Sequence, residues 1–175
     1  QAVCRAASRV QLGALVDEAL GEKRHEQELR RFFGLLNGSL IHNIYMMFSF
    51  LGAPARIRHV DLWRGGMSFH VLLEYTSELC CGLEWHHLPY LSDYRETYEF
   101  YGSSKRVHLQ FPSPYLLHAP TTVVVQEGEA ESVEERRIVT SYDEAYRREQ
   151  RDFHSNVVQR TQPASDDAEA VAHAR

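Results

Sequence analysis

The stretch Met67-Ser68-Phe69-His70-Val71-Leu72-Leu73-Glu74-Tyr75 decides the fold class. Met67, Phe69, Val71, Leu73 and Tyr75 alternate with Ser68, His70, Leu72 and Glu74, a period of two. Successive strand side chains point to opposite faces, so this pattern predicts a strand with one apolar and one polar face. The next run repeats it: Leu79, Cys81, Leu83 and Trp85 alternate with Cys80, Gly82, Glu84 and His86. Val107, Leu109 and Phe111 alternate with Arg106, His108 and Gln110, and Tyr98 with Phe100 sits in a similar run. Arg56–Trp63, Thr121–Gln126 and Val133–Tyr142 are further strand candidates. Short connections such as Arg64-Gly65-Gly66 and Thr76-Ser77-Glu78 suit hairpins. The expectation is an open, mainly antiparallel sheet of about six strands, a common sheet size, with helices on one face.

Before this meander the period is helical. Leu12, Leu15, Val16, Ala19 and Leu20 predict a helix over 8–20, capped by Ser8 with Gln11 and stopped at Gly21. Lys23 to Phe33 is charged and reads as an exposed strand. Leu40, Ile41, Ile44, Met47, Phe48 and Leu51 predict a helix over 38–51, ended by Gly52 and Pro54. After the meander, Tyr146, Phe153 and Val157 line a helix over 142–160, with Ser141 and Glu144 as a capping box. Pro163 breaks it, and Ser165-Asp166-Asp167 would cap a last helix. The layout is α+β, read as one domain over residues 1–175.

Composition narrows the function. The 175 residues carry net charge −5, so no basic field is available for a phosphate backbone. The dense aromatics Tyr90, Tyr94, Tyr98, Phe100 and Tyr101 are interleaved with Glu96 and Glu99, unlike a nucleic-acid platform. No run approaches the roughly 18 apolar residues of a membrane span. The 10 glycines include no Gly-x-Gly pair, so no dinucleotide fingerprint can form. The 3 cysteines, with Cys80 and Cys81 adjacent, are not a disulfide framework and point to a reducing, cytoplasmic setting. The chain begins at Gln1 with no methionine before Met46, which suggests a piece of something longer.

Several residues invite chemistry. His42 lies off the apolar stripe and shares a helix face with Tyr45 and Ser49. That face can line a cleft. His86 and His87 point to opposite sides of a strand, as do Cys80 and Cys81, so neither pair can hold one metal ion. His86 shares the polar face with Glu84, while Trp85 reads as core. Trp63 reads as an aromatic covering a hairpin edge, with a pocket mouth as the alternative.

The segments around His42 carry a resemblance. Gly38-Ser39-Leu40-Ile41-His42-Asn43-Ile44, with the exit Leu51-Gly52-Ala53-Pro54, resembles a segment of the Gfo/Idh/MocA family of NAD(P)-dependent oxidoreductases. Leu12 to Glu22 resembles the helix that opens that family's second domain. Tyr98 to Tyr115 (YEFYGSSKRVHLQFPSPY) is similar to its strand–turn–strand, and Ser141 to Phe153 to its returning helix. Pro163 and Asp167-Ala168 sit where the family has its Pro…Asp-Ala segment.

The resemblance implies the substrate-binding and oligomerising domain of an oxidoreductase acting on a hydroxyl of a sugar, inositol or similar polyol. NAD or NADP would be held by an N-terminal Rossmann domain that this chain lacks. The open sheet face would build a homo-oligomer. His42 takes the position of the acid/base, with Asn43, Tyr45 and His86 as substrate contacts and no metal. Gly38 and Tyr45 stand where many members have aspartate. That departure keeps open a non-catalytic binding or dimerisation module diverged from the family.

Overall fold

The computed structural model describes residues 13–129 and 131–162. The calls at Cys4, Ser8 and Gln11, and the last helix after Pro163, lie outside the described residues. The chain divides after Pro89 into two compact units.

The first unit opens with α1, residues 13–20, which is helical as its periodicity predicts. Gly21, at φ +54, turns the chain into a 3-10 helix, Gly21–His25. Next comes α2 (Gln27–Gly38), where an exposed strand was expected over Lys23–Phe33. The reason is tertiary. Phe32, Leu35 and Leu36 recur at helical spacing and pack on the buried core. The charged residues around them had hidden that stripe. α3 (Ile41–Leu51) follows after a break at Ser39 and Leu40, whose N–H groups both donate to the Leu35 carbonyl. The helix expected over 38–51 is therefore present but starts at Ile41, and Gly38 ends α2 instead.

Three antiparallel strands complete this unit: β1 (Arg56–Trp63), β2 (Ser68–Glu74) and β3 (Cys80–Trp85), in the order β1-β2-β3. β2 is central, and its alternation sets the two faces. Phe69, Val71, Leu73 and the following Tyr75 are buried with Leu40 and Met47. Phe69 is 0% exposed and meets the ring of Phe32 edge-on at 4.8 Å. Burial of one such ring contributes roughly 1.5–3 kcal/mol. His70, Leu72 and Glu74 fall on the opposite face, away from α2 and α3. The register fixes their neighbours: Asp61 opposite His70 opposite Glu84, and Trp63 opposite Ser68.

The β1–β2 turn is fastened to α2. Arg64, Gly65 and Gly66 all have positive φ (54, 63 and 80). Arg31 donates to the Gly65 carbonyl at 3.1 Å. A Cβ on Gly66 would lie 2.1 Å from the backbone oxygen of Glu28. Glycine is needed here for both conformation and close approach.

The second unit holds four antiparallel strands: β4 (Glu96–Tyr101), β5 (Lys105–Phe111), β6 (Thr122–Glu129) and β7 (Ser132–Val139), in the order β4-β5-β6-β7. α4 (Ala145–Gln159) follows. Tyr98, Phe100, Val107, Leu109, Val123 and Val125 share one face by register. Glu99, Tyr101, Arg106, His108, Gln126 and Glu135 share the other. The expected capping box at α4 is not formed. Ser141 Oγ instead accepts from the Asp143 N–H at 2.9 Å, closing a turn before the helix.

The fold class is α+β with open antiparallel sheets, as expected. Among the described residues, seven strands in two sheets stand where about six in one were expected. The segment between β3 and β4 contains Pro89, which has no N–H for a ladder, and residues 86–95 form no strand.

Gly66→Ala is expected to lower the stability of the first unit by about 1–3 kcal/mol, through left-handed strain and the Glu28 contact. An unchanged urea midpoint would show that the turn is not held against α2.

Candidate functional site

Of the residues expected to act, His42, Asn43 and Tyr45 stand in the first turns of α3. His42 is exposed, while Asn43 and Tyr45 are half-buried and engaged in contacts of their own. Met47 is buried with Leu40 on the stripe facing the sheet. Of the expected apolar stripe, Leu40 and Met47 are buried and Leu51 packs against them, Ile41, Ile44 and Phe48 are half-buried, and His42, Tyr45 and Ser49 share another side by spacing. No acidic residue lies in the first turn of α3. The imidazole therefore has no carboxylate from its own helix to orient it.

His86 is not brought to that helix. Trp85 faces the core with Leu83, while His86 joins Glu84 on the face turned away from α2 and α3. There His86 Nε2 lies 3.5 Å from Glu84 Oε2, and His70 Nε2 lies 3.9 Å from Glu84 Oε1. His59 Nε2 meets Asp61 Oδ2 at 2.7 Å on the neighbouring strand. The Trp63 ring lies 5.8 Å from the His86 ring, at 54°. The backbone beneath is pinned. His87 N–H donates to Ser68 Oγ at 3.0 Å, and Arg64 Nη1 donates to the His87 carbonyl at 2.6 Å. Sequence reading set Trp63 aside as an edge aromatic; its pairing with His86 depends on the turn that brings strand ends together. Among the described residues, no group of three or more His, Cys, Asp or Glu is placed to hold a metal ion.

The second unit carries a polar, open sheet face whose charges are paired across strands. His108 Nδ1 lies 3.0 Å from Glu99 Oε1, and Tyr101 O–H donates to the same carboxylate group. Arg106 Nε donates to Gln126 Oε1 at 2.7 Å, and Gln126 Nε2 donates to Glu135 at 2.6 Å. On the opposite face, the Lys105 ammonium hydrogen-bonds Glu127 and holds its carboxyl below the usual range. Glu99, Arg106, His108, Val124, Gln126 and Glu135 line a shallow hollow.

The two described cysteines are free. Cys81 is half-buried, and burial pushes its thiol pKa up; Cys80 is exposed.

The comparisons with known proteins give a fold and no closer relative. No protein-family model and no curated protein matches the sequence. Solved structures do. A protein of Desulfitobacterium hafniense described as an NADPH-dependent oxidoreductase matches 81% of this chain with TM-score 0.64 at 12% identity. KijD10, a 3-ketoreductase of Actinomadura kijaniata solved with NADP and TDP-benzene, matches 79% with TM-scores of 0.61 and 0.60 at 18% and 19% identity. The chain spans 42–43% of the length of these structures. It therefore shares its fold with less than half of a nicotinamide-dependent oxidoreductase, in agreement with the resemblance read from the sequence. Among the described residues, no helix is long and apolar enough to cross a membrane.

Alkylation at neutral pH is expected to mark Cys80 well before Cys81, because only the thiolate reacts and burial disfavours it at Cys81. Peptide mass spectrometry in a Cys4→Ser background reads the order. Equal rates at the two positions would contradict the alternation of β3.

Proposed function

We propose that this chain is the substrate-binding and subunit-pairing part of an NAD(P)-dependent oxidoreductase acting on a hydroxyl of a sugar, inositol or related polyol. The observation that carries the reading is the fold shared with 42–43% of three oxidoreductase structures, two of them bound to NADP. Nothing in this chain fits a dinucleotide: it has no glycine-rich phosphate loop, and its net charge is −5. NAD or NADP belongs to a separate nucleotide-binding domain in this reading, where it exchanges hydride with the substrate carbon.

The task left to this chain is the proton and the pocket. An imidazole whose ordinary pKa is near ~6.5 can take the hydroxyl proton during oxidation and return it during reduction. His42 supplies it from an exposed position anchored by the buried side of α3. Asn43 and Tyr45 contact the substrate from the same turns. The two free thiols support a reducing, cytoplasmic setting.

A second copy of the chain pairs through the polar face of β4–β7. Arg106 and Arg137 offset Glu99 and Glu135 there, so the face can meet its own copy with opposite charges aligned. A specific observation also favours the module reading. Gly38 and Tyr45 leave His42 without the aspartate that related helices place beside it.

In the enzyme that contains this chain, His42→Ala is expected to lower kcat by about two to four orders of magnitude, the worth of a general base. Unchanged turnover would transfer the assignment to the module reading. The isolated chain is expected to show no saturable NAD(H) binding by calorimetry. Sedimentation equilibrium is expected to show a dimer that Arg106→Glu weakens; a monomer at all concentrations would overturn the pairing face.

A further inference from the structure

The second sheet gathers tyrosines at one of its ends, and neither the proton-transfer nor the pairing role uses them. β4 starts, β5 ends, β6 starts and β7 ends there, because the four strands are antiparallel neighbours. The segments 94–95, 112–121 and 140–144 therefore meet at that end. They bring together Tyr94, Tyr115 and, from the first turn of α4, Tyr146. The Tyr115 and Tyr146 rings lie 6.3 Å apart at 30°. All three side chains are exposed. Glu96, the first residue of β4, accepts the Tyr94 hydroxyl at Oε2 and the Tyr98 hydroxyl at Oε1, the latter at 2.9 Å.

The arrangement is held from below. Tyr98 meets the Phe111 ring edge-on at 5.5 Å. Pro112 and Pro114 fix the backbone on both sides of Ser113, whose carbonyl accepts the Leu116 N–H at 3.0 Å. Tyr115 thus stands inside a closed turn. Thr140 N–H reaches the Thr121 carbonyl at 3.5 Å, and Arg151 donates to Asp143 at 3.1 Å, which steadies the start of α4. Rings set in place before a ligand arrives lower the cost of binding.

Charge selects the ligand. Residues 93–96 and 142–152 hold six carboxylates and four arginines, and residues 112–121 hold no Asp, Glu, Lys or Arg, which leaves a net charge of −2 at this end. The phenols feel that field. The Tyr94 hydroxyl is pushed well above its ordinary range by burial first, then by its hydrogen bond to Glu96 and the charge there. Tyr146 is raised by the Tyr115 phenol first, then by burial, and also by Glu149. These rings stay neutral at working pH and present electron-rich faces, over which a cation is attracted. Both Glu96 oxygens already accept tyrosine hydroxyls, which favours a cation that needs no hydrogen-bond acceptor. We infer that this end of the second unit binds a quaternary ammonium group of a small molecule, seated on the Tyr115 and Tyr146 rings beside Tyr94, with Glu96 as its counter-charge. The site lies outside α3 and does not rest on the redox reading.

The test is a titration of the chain, carrying 13C-labelled tyrosine rings, with tetramethylammonium chloride. Sodium chloride at equal ionic strength and tert-butanol, a neutral molecule of similar shape, are the controls. The Tyr94, Tyr115 and Tyr146 signals are expected to shift saturably in the millimolar range, while Tyr75, buried in the first unit, does not move. Glu96→Gln and Tyr146→Leu, which keeps apolar bulk but removes the ring, are each expected to weaken binding about threefold or more. Tyr115→Phe keeps a ring and retains most of the binding, which guards against misfolding. No saturation by about 100 mM overturns the proposal, as does an unchanged affinity in Glu96→Gln. An equal response to tert-butanol or to sodium chloride overturns it too, because shape or ionic strength alone would then explain the shifts. The enzyme that contains the chain is expected to give the same tyrosine shifts; their loss there would mark the three rings as a domain contact and overturn the site.

Discussion

The edge-on contact between Phe32 and Phe69 joins a charged helix to the middle strand of the first sheet, and much else follows from it. With Phe69 fully buried against α2, the pleat of β2 has no freedom left. Val71, Leu73 and Tyr75 must face the helices. His70 and Glu74 must face away. A slip of one residue would bury His70 and expose Phe69, at a cost far larger than any single contact could offset. The neighbouring strands inherit that orientation through their registers, so the placement of Glu84 and His86 beside Trp63 traces back to one aromatic pair.

The same anchor explains why α3 can display His42. A helix of eleven residues has little stability of its own in water and relies on its buried side. Leu40 and Met47 provide it, packed with the β2 side chains. The remaining surface of α3 is free to carry polar groups. Packing and proposed chemistry are thus divided around one helix, while the β4–β7 sheet places apolar residues on one face and cross-strand charge pairs on the other.

The sequence made the strands legible because period two is a local signal. The seven strands of the described residues fall within stretches that alternate or are rich in β-branched residues. The helices over 13–20, Ile41–Leu51 and Ala145–Gln159 were legible for the parallel reason. Gln27–Gly38 was not. Its charged residues obscure a three-residue stripe, Phe32, Leu35 and Leu36, whose meaning depends on Phe69 being opposite. The capping reading at Ser141 failed for a related cause: the hydroxyl found a nearer backbone partner at Asp143. At the candidate site, His42 could be placed on a helix face from spacing alone. Its separation from His86 could not, because the two belong to opposite sides of a sheet.

By itself the sequence determined the α+β class and the antiparallel strands, and it contains no Gly-x-Gly pair. These rest on local periodicity and composition, which need no distant partner. Only the tertiary structure decided that the strands form sheets of three and four, that Lys23–Phe33 is largely helical, and that Trp63 joins Glu84 and His86 on one face. Strand order and side-chain neighbours are set by contacts between residues far apart in the chain. Those contacts are selected by how much apolar surface each arrangement buries, a quantity that no local pattern contains.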